Sequence, residues 1–153
     1  MIQVILLNQT EKKNIPQKKK FQLWIDLMTK KISEKVPLGV KEICITVVDE
    51  ASSAYLNKTY RHHNGPTNVL SFHYDAMPGQ SSQSLGDLAI CATLVKTEAL
   101  AASKRMEAHW AHLTIHGALH LLGYDHQVEK DATIMETLEI NLLAALGFED
   151  PYK

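Results

Sequence analysis

The hydrophobic and polar positions of this 153-residue chain predict short strands alternating with amphipathic helices. Apolar or β-branched runs predict strands at residues 2–7, 43–48, 69–74 and 85–91. Apolar positions recurring every three or four residues predict helices at residues 18–35, Glu50–Arg61, 94–122 and 128–146, with an interruption of the third near Ser103. The polar, Gly- and Ser-containing residues 76–84 predict a mobile loop. This order predicts a single α+β domain over residues 1–153, with helices packed on a small mixed four-stranded sheet.

The boundaries and inward faces of the helices can also be predicted. Asp49 suits the N-cap of the second helix, and Gly147 suits the end of the last one. We expect one face of each of two helices to pack on the core: Ala51, Tyr55, Leu56 and Tyr60 in the second helix, and Ile134, Leu138, Leu142 and Ala145 in the last.

Composition limits the classes of protein that fit. Apolar residues make up 45% of the chain, which is enough for a core. The chain has no run of eighteen apolar residues, the length that a membrane-spanning helix needs. Cys44 and Cys91, the only cysteines, each lie in a predicted strand, so we expect buried free thiols in a reducing cytoplasm. Two cysteines cannot build a cysteine-rich zinc site. Any metal must therefore bind to histidines and carboxylates.

The charge is close to balanced overall but unevenly distributed. The formal net charge is −1 and the isoelectric point about 6.7. Residues 1–60 carry ten lysines and six acids, net +4, and residues 61–153 carry six basic residues and eleven acids, net −5. The lysines of the first half could bind along a phosphate backbone, or they could form a solvated face of a helix. The charge alone favours the solvated face.

Histidines are concentrated near the end of the third predicted helix. His109, His112, His116 and His120 step by three or four residues and therefore share one stripe of that helix. His116 and His120 are one turn apart, so both rings can reach one ion. Gly123 can end the helix with a positive φ and turn the chain back, which would bring His126 to the same point.

These three histidines predict a catalytic metal site. Three imidazole ligands, His116, His120 and His126, leave a fourth position for water, as in catalytic zinc sites. We expect one divalent ion per chain, with zinc first, although nickel and other ions also accept imidazole. The spacing is shared with metzincin metalloproteases, which need glutamate directly after the first histidine as a base. This chain has Gly117 there, which weakens a peptidase interpretation.

Three sequence blocks resemble a known family. HGALHLLGYDH at residues 116–126, RHHNGPTNVLSF at residues 61–72 and LGDLAI at residues 85–90 resemble the bacterial YbeY family of metal-dependent endoribonucleases. Asn68 stands where many members carry aspartate, and His73 where proline is common. The resemblance implies single-strand-specific cleavage of ribosomal RNA precursors near the 3′ end of small-subunit rRNA, and a part in ribosome quality control. The implied partners are ribosomal RNA, the small subunit, and ribosomal or assembly-factor proteins, with no membrane.

The resemblance also carries residue roles onto this chain. It implies His116, His120 and His126 as metal ligands and Arg61 as a functional cation, which we expect to stabilise the scissile phosphate. We count Arg61 and His116 as catalytic. Asp87 could orient a ligand histidine or pair locally, and Asn68, Ser71 and His112 could support the ligands or line a substrate groove. Two alternatives stay open: a metallopeptidase or other zinc hydrolase, and a non-catalytic ribosome assembly factor with a structural metal.

Overall fold

A computed structural model describes residues 1–73 and 83–153. Its sheet contains β1 (Gln3–Asn8), β2 (Glu42–Val48), β3 (Val69–Phe72) and β4 (Ser84–Cys91), in the order β1-β2-β4-β3. Strands β1, β2 and β4 are parallel, and β3 is antiparallel to β4. The predicted mixed four-stranded sheet is confirmed. Residue 74 of the third predicted strand and residues 76–82 of the predicted loop lie outside the described residues.

Five helices accompany the sheet in the described part of the chain. They are α1 (Lys18–Lys31), α2 (Glu50–Arg61), α3 (Ala92–Ala101), α4 (Met106–Leu121) and α5 (Glu129–Ala145), with a 3-10 turn at Ser33–Lys35. The predicted interruption at Ser103 is confirmed, because this residue has φ +53° and separates α3 from α4. None of these helices is long and apolar enough to span a bilayer.

Helix α4 lies at the centre of the molecule. It packs on β3 and β4 and contacts α1, α3 and α5. Its residues Trp110, Ile115 and Leu119 are at most 3% exposed. On the other face of the sheet, Leu56 of α2 packs against a smaller cluster containing Leu70 and Ala89. Because α4 is enclosed on several sides, side chains near its end are held in fixed positions.

The predicted inward face of α2 is correct for Leu56 but wrong for Ala51, Tyr55 and Tyr60, which are exposed. Tyr55 and Tyr60 are 67% and 59% exposed, whereas Ser53 and Asn57 are buried. The Ser53 hydroxyl donates to the Thr67 carbonyl at 2.7 Å and accepts from the Thr67 N–H at 2.9 Å. The Asn57 amide donates to a backbone carbonyl of the same connection at 2.9 Å. These polar residues are buried because they satisfy the backbone of the segment leading to β3.

The inward face of α5 is also displaced from its prediction. Leu142 is buried as expected, and Leu138 packs against the core, but Ile134 is 50% exposed and Ala145 is exposed. The buried residues of α5 are Met135, Glu139, Leu142 and Leu143. An apolar pattern assigns a glutamate to the outer face of a helix. The buried Glu139 therefore accounts for the displaced prediction.

Candidate metal centre and active-site cleft

The end of α4 and the following turn bring three histidines together. Gly123 has φ +95°, and the Tyr124 N–H donates back to the last turn of the helix at 3.0 Å, closing a C-terminal capping turn. The His126 ring centroid then lies 5.4 Å from that of His116 and 4.9 Å from that of His120. One ligand nitrogen from each ring lies within 4.8 Å of the others. The chain reversal that the sequence predicted at Gly123 thus brings His126 to the other two rings.

The hydrogen bonds of two rings determine which nitrogen faces the centre. His116 Nδ1 bonds to the Glu139 carboxylate, and His120 Nδ1 bonds to the Tyr124 carbonyl at 2.9 Å. Carboxylate and carbonyl oxygens only accept, so both Nδ1 atoms carry the proton and both Nε2 atoms present lone pairs. These Nε2 atoms are 3.2 Å apart. Two zinc bonds of 2.0–2.1 Å at a tetrahedral angle would separate the nitrogens by about 3.3–3.4 Å. The positions of these two nitrogen atoms therefore fit the coordination of one cation.

Burial and neighbouring charge favour the protonation states that metal binding needs. Burial lowers the pKa of His120, and the neighbouring His116 and His126 lower it further. Metal ligands must be neutral imidazoles, so this shift favours the ligand form. Burial alone would raise the pKa of Glu139. Hydrogen bonding from His112 and His116 outweighs it and lowers that pKa to about 2, which keeps the carboxylate charged.

Glu139 is the site residue that the sequence analysis missed. It is fully buried on α5, accepts from His116 through one oxygen, and accepts from the Tyr152 hydroxyl through the other. His112, His116 and Glu139 could by distance also hold an ion. The direct bond from His116 Nδ1 instead makes Glu139 the support of a candidate ligand, a role that carboxylates often have at metal sites. Its spacing with Met135 and Leu142 on one helix face is the sequence signal that could have found it.

Arg61 lies beside the histidines. It is the last residue of α2, is exposed, and lines a cleft of about 630 Å³ together with His116, His120 and His126. Its Nη2 donates to the Ser71 carbonyl at 2.6 Å. Its guanidinium carbon also lies 5.9 Å from the centre of the Phe72 ring. One hydrogen bond and one ring contact therefore fix this cation at the edge of the cleft.

Two residues that could line a substrate groove also lie at this cleft. Asn68 and Ser71 both lie along it, but each has a structural partner. The Asn68 amide donates to Glu98 at 3.0 Å, and the Ser71 hydroxyl donates to the Gly117 carbonyl at 2.9 Å. The Asn68 side-chain oxygen also accepts from the Val69 N–H at 2.7 Å. Their expected role at a substrate groove remains a prediction.

His112 and Asp87 lie outside this cleft. His112 Nε2 lies 3.4 Å from the Tyr152 hydroxyl and 3.8 Å from a Glu139 oxygen, so it borders the support of His116. Asp87 lies on the sheet face turned away from α4, since it alternates with Leu88, which packs into the α4 core. No histidine of the described chain hydrogen-bonds to Asp87. Glu139 and the Tyr124 carbonyl, rather than Asp87, accept the hydrogen bonds that orient the histidine rings.

The packing around Gly117 leaves no room for a glutamate after His116. A Cβ atom at this position would lie 2.9 Å from Leu88 Cδ2, 3.1 Å from Val69 Cγ2 and 3.2 Å from Ser71 Oγ. This face of α4 therefore packs directly on β3 and β4. A glutamate there would enter the sheet and could not act as a base in the cleft. This geometry counts against the peptidase hypothesis.

Comparison with known proteins places these features in context. A family model described as endoribonuclease YbeY matches residues 5–147. The fold is similar to the solution structure of TM1509 from Thermotoga maritima, with a TM-score of 0.56 over 98% of this chain and 99% of that one. The two sequences are 18% identical, so this second likeness concerns the fold alone.

Proposed function

The chain belongs to the YbeY family of endoribonucleases, and we propose that it hydrolyses RNA phosphodiester bonds in the cleft lined by His116, His120, His126 and Arg61. The observation that carries the proposal is the convergence of three imidazole nitrogens within 4.8 Å of one another, in a cleft that also contains a guanidinium. A Lewis acid and a cation suit a reaction in which negative charge grows on phosphate oxygens.

The three histidines would hold one divalent ion, for which we propose zinc. Imidazole is a common zinc ligand, and three protein ligands are typical of catalytic rather than structural zinc sites. The bound ion would supply Lewis-acid chemistry and lower the pKa of water near the scissile phosphate. The hydrogen bonds to Glu139 and to the Tyr124 carbonyl hold the rings of His116 and His120 in the tautomer that presents Nε2 to the ion.

Arg61 would stabilise the charge of the scissile phosphate. A guanidinium offers five N–H donors in a plane and can bind phosphate oxygens in pairs. In the structure one nitrogen donates to the Ser71 carbonyl, so the side chain is anchored while other N–H donors remain for a phosphate. Lysine has a single ammonium group and could not reproduce both contacts.

Family membership also supports a biological setting. We propose that the substrate is single-stranded ribosomal RNA, near the 3′ end of small-subunit rRNA, and that the protein also takes part in ribosome quality control in the cytoplasm. The net charge of −1 gives little general attraction to phosphates. Docking through ribosomal or assembly-factor proteins would therefore bring the enzyme to its substrate.

A cleavage assay on single-stranded rRNA fragments tests this function. We expect cleavage by the wild type, its loss with a chelator or in His120→Ala, and no digestion of casein. Arg61→Lys should lower kcat about 10²-fold, as the loss of one transition-state donor typically does. Arg105→Lys is the matched control, since Arg105 lies against the Phe148 ring and away from the cleft. Full activity of Arg61→Lys would remove the proposed role of Arg61.

A bound ion with no turnover of RNA would contradict the proposal as a whole. In that case metal analysis would still show one ion per chain, lost in His120→Ala, but no RNA fragment would be cleaved with or without chelator. This result would favour the assembly factor with a structural metal. Digestion of casein but not of RNA would favour the peptidase.

A further inference from the structure

A second cleft of about 660 Å³ adjoins the metal cleft but lies on the opposite face of the sheet. Its floor is formed by strand residues that include Thr46, Phe72 and Asp87, and Tyr60 of α2 forms part of its wall. Arg61, Ser71 and His73 line both clefts. A chain that passes Arg61 can therefore occupy the two clefts at once.

Aromatic rings and a guanidinium meet at this cleft. Tyr60 is 59% exposed although it is a large aromatic residue, and its ring centroid lies 5.3 Å from that of Phe72, edge to face. Arg61 lies against the same Phe72 ring. The contact with Phe72 holds the exposed Tyr60 ring in place, so little conformational entropy would be lost on stacking. Fixed aromatic rings beside arginine are the surfaces on which unpaired bases of single-stranded RNA stack.

Asp87 adds a hydrogen-bond acceptor to this cleft. It is partly buried and pairs in the sheet with Cys44 and Phe72. Its carboxylate has no hydrogen bond or ion pair among the described residues, and burial raises its pKa. A ligand that displaces water from this carboxylate must supply a hydrogen-bond donor in its place. The exocyclic amino groups of cytosine, adenine and guanine are donors of the required kind.

We propose that this second cleft is a nucleobase subsite, in which the base next to the phosphate at Arg61 stacks on Tyr60 and donates its amino group to Asp87. The inference rests on the proposed RNA hydrolysis. The residues shared with the metal cleft favour a nucleotide over a protein segment, because the phosphate and its neighbouring base then bind on the two sides of Arg61. The volume lies within the range of sites that bind small molecules.

Titration with mononucleotides tests the subsite directly. Cytidine 5′-monophosphate, uridine 5′-monophosphate and ribose 5-phosphate contain no phosphodiester bond, so the protein is used as purified, and binding is followed by amide chemical shifts. We expect cytidine 5′-monophosphate to bind about 5–50-fold more tightly than ribose 5-phosphate, as stacking of one base typically gives. The shifts should map to residues around Tyr60 and Asp87. Uridine 5′-monophosphate, which lacks the amino group, should bind between the two.

Three variants separate stacking from amino-group recognition. Tyr60→Ala should remove most of the advantage of the nucleotide over ribose 5-phosphate. Tyr55→Ala, on the same helix and 67% exposed but outside this cleft, should retain it. Asp87→Asn should lose the preference for cytidine over uridine while the stacking advantage remains. Circular dichroism confirms that each variant is folded.

Equal binding of ribose 5-phosphate and cytidine 5′-monophosphate would overturn the inference, as would equal losses in Tyr60→Ala and Tyr55→Ala. If the wild type cleaves RNA and Tyr60→Ala keeps both KM and kcat, the subsite is wrong and the proposed function stands. If the nucleotides bind as expected but no RNA is cleaved, the subsite stands and the proposed hydrolysis is wrong. Selective capture of a protein by this face, with no nucleotide binding, would also refute the subsite.

Discussion

Replacing Glu139 by glutamine should weaken metal binding without unfolding the protein. The carboxylate is fully buried and accepts from both His116 Nδ1 and the Tyr152 hydroxyl. Glutamine has the same shape but no charge and only one accepting oxygen. Its single amide oxygen therefore replaces two accepting oxygens, and the hydrogen bond from the His116 ring no longer has a charged acceptor.

The magnitude follows from the kind of bond that is lost. Removing the group that supports a ligand histidine typically costs 10–100-fold in metal affinity, which corresponds to about 1.4–2.7 kcal/mol. A hydrogen bond to a charged group contributes about 1.5–3 kcal/mol, which is the same range. We expect Glu139→Gln near the lower limit, because its amide oxygen can still accept from His116. Glu139→Ala should lie near the upper limit, because no acceptor remains.

Competition with a chromophoric zinc chelator measures this effect, at a temperature where circular dichroism shows each variant folded. Glu98→Gln is the matched control. Glu98, on α3, pairs with the ring of His109 on α4 at 2.8 Å but lies outside the metal site. We expect its zinc affinity to stay within twofold of the wild type. An unchanged Kd in Glu139→Gln would refute the orienting role. Equal losses in both variants would show a general loosening of α4 instead.

Three further outcomes test the packing, the electrostatics and the metal. Gly117→Ala should destabilise the protein by about 1–3 kcal/mol in urea unfolding, because its Cβ would lie 2.9 Å from Leu88; an unchanged midpoint would contradict this packing. Burial lowers the pKa of His109 below 6.5 despite the opposing influence of Glu98, so the unfolded chain binds a proton first as the pH falls. The free energy of unfolding should therefore decrease from about pH 6.5 downward, and the decrease should be smaller in His109→Gln. Zinc at 100 times its Kd should stabilise the wild type by about 2.7 kcal/mol in thermal unfolding, and His120→Ala should show no such shift.

Local patterns carried most of the fold and of the metal centre. The strands were predictable because β-branched runs such as residues 43–48 have the length of a strand and are too short for a typical helix. The histidine cluster was predictable because His116, His120, Gly123 and His126 are close in sequence, so helix geometry and one chain reversal determine where they lie. Neither inference needed a contact between distant segments.

What escaped prediction depends on distant segments. Glu139 reaches His116 only because α5 packs on α4, and Tyr152 completes the contact from residues beyond α5. Ser53 and Asn57 are inward because the connection to β3 needs their hydrogen bonds. In each case a polar residue is buried although the apolar pattern places it on the outer face of its helix. A single sequence shows no sign of the partner that makes its burial favourable.

The histidine spacing alone was ambiguous, and packing reduces that ambiguity. The same three-histidine spacing fits a peptidase, in which the residue after the first histidine must reach into the cleft as a base. Here that residue is Gly117, and its position faces Leu88 and Val69 of the sheet. Because a helix that packs this closely on strands can only carry a small residue there, the absence of glutamate follows from the architecture itself. A proton acceptor for this site must therefore come from another element of the fold or from the substrate, which is more natural for a phosphodiester, with its own charged oxygens, than for an amide.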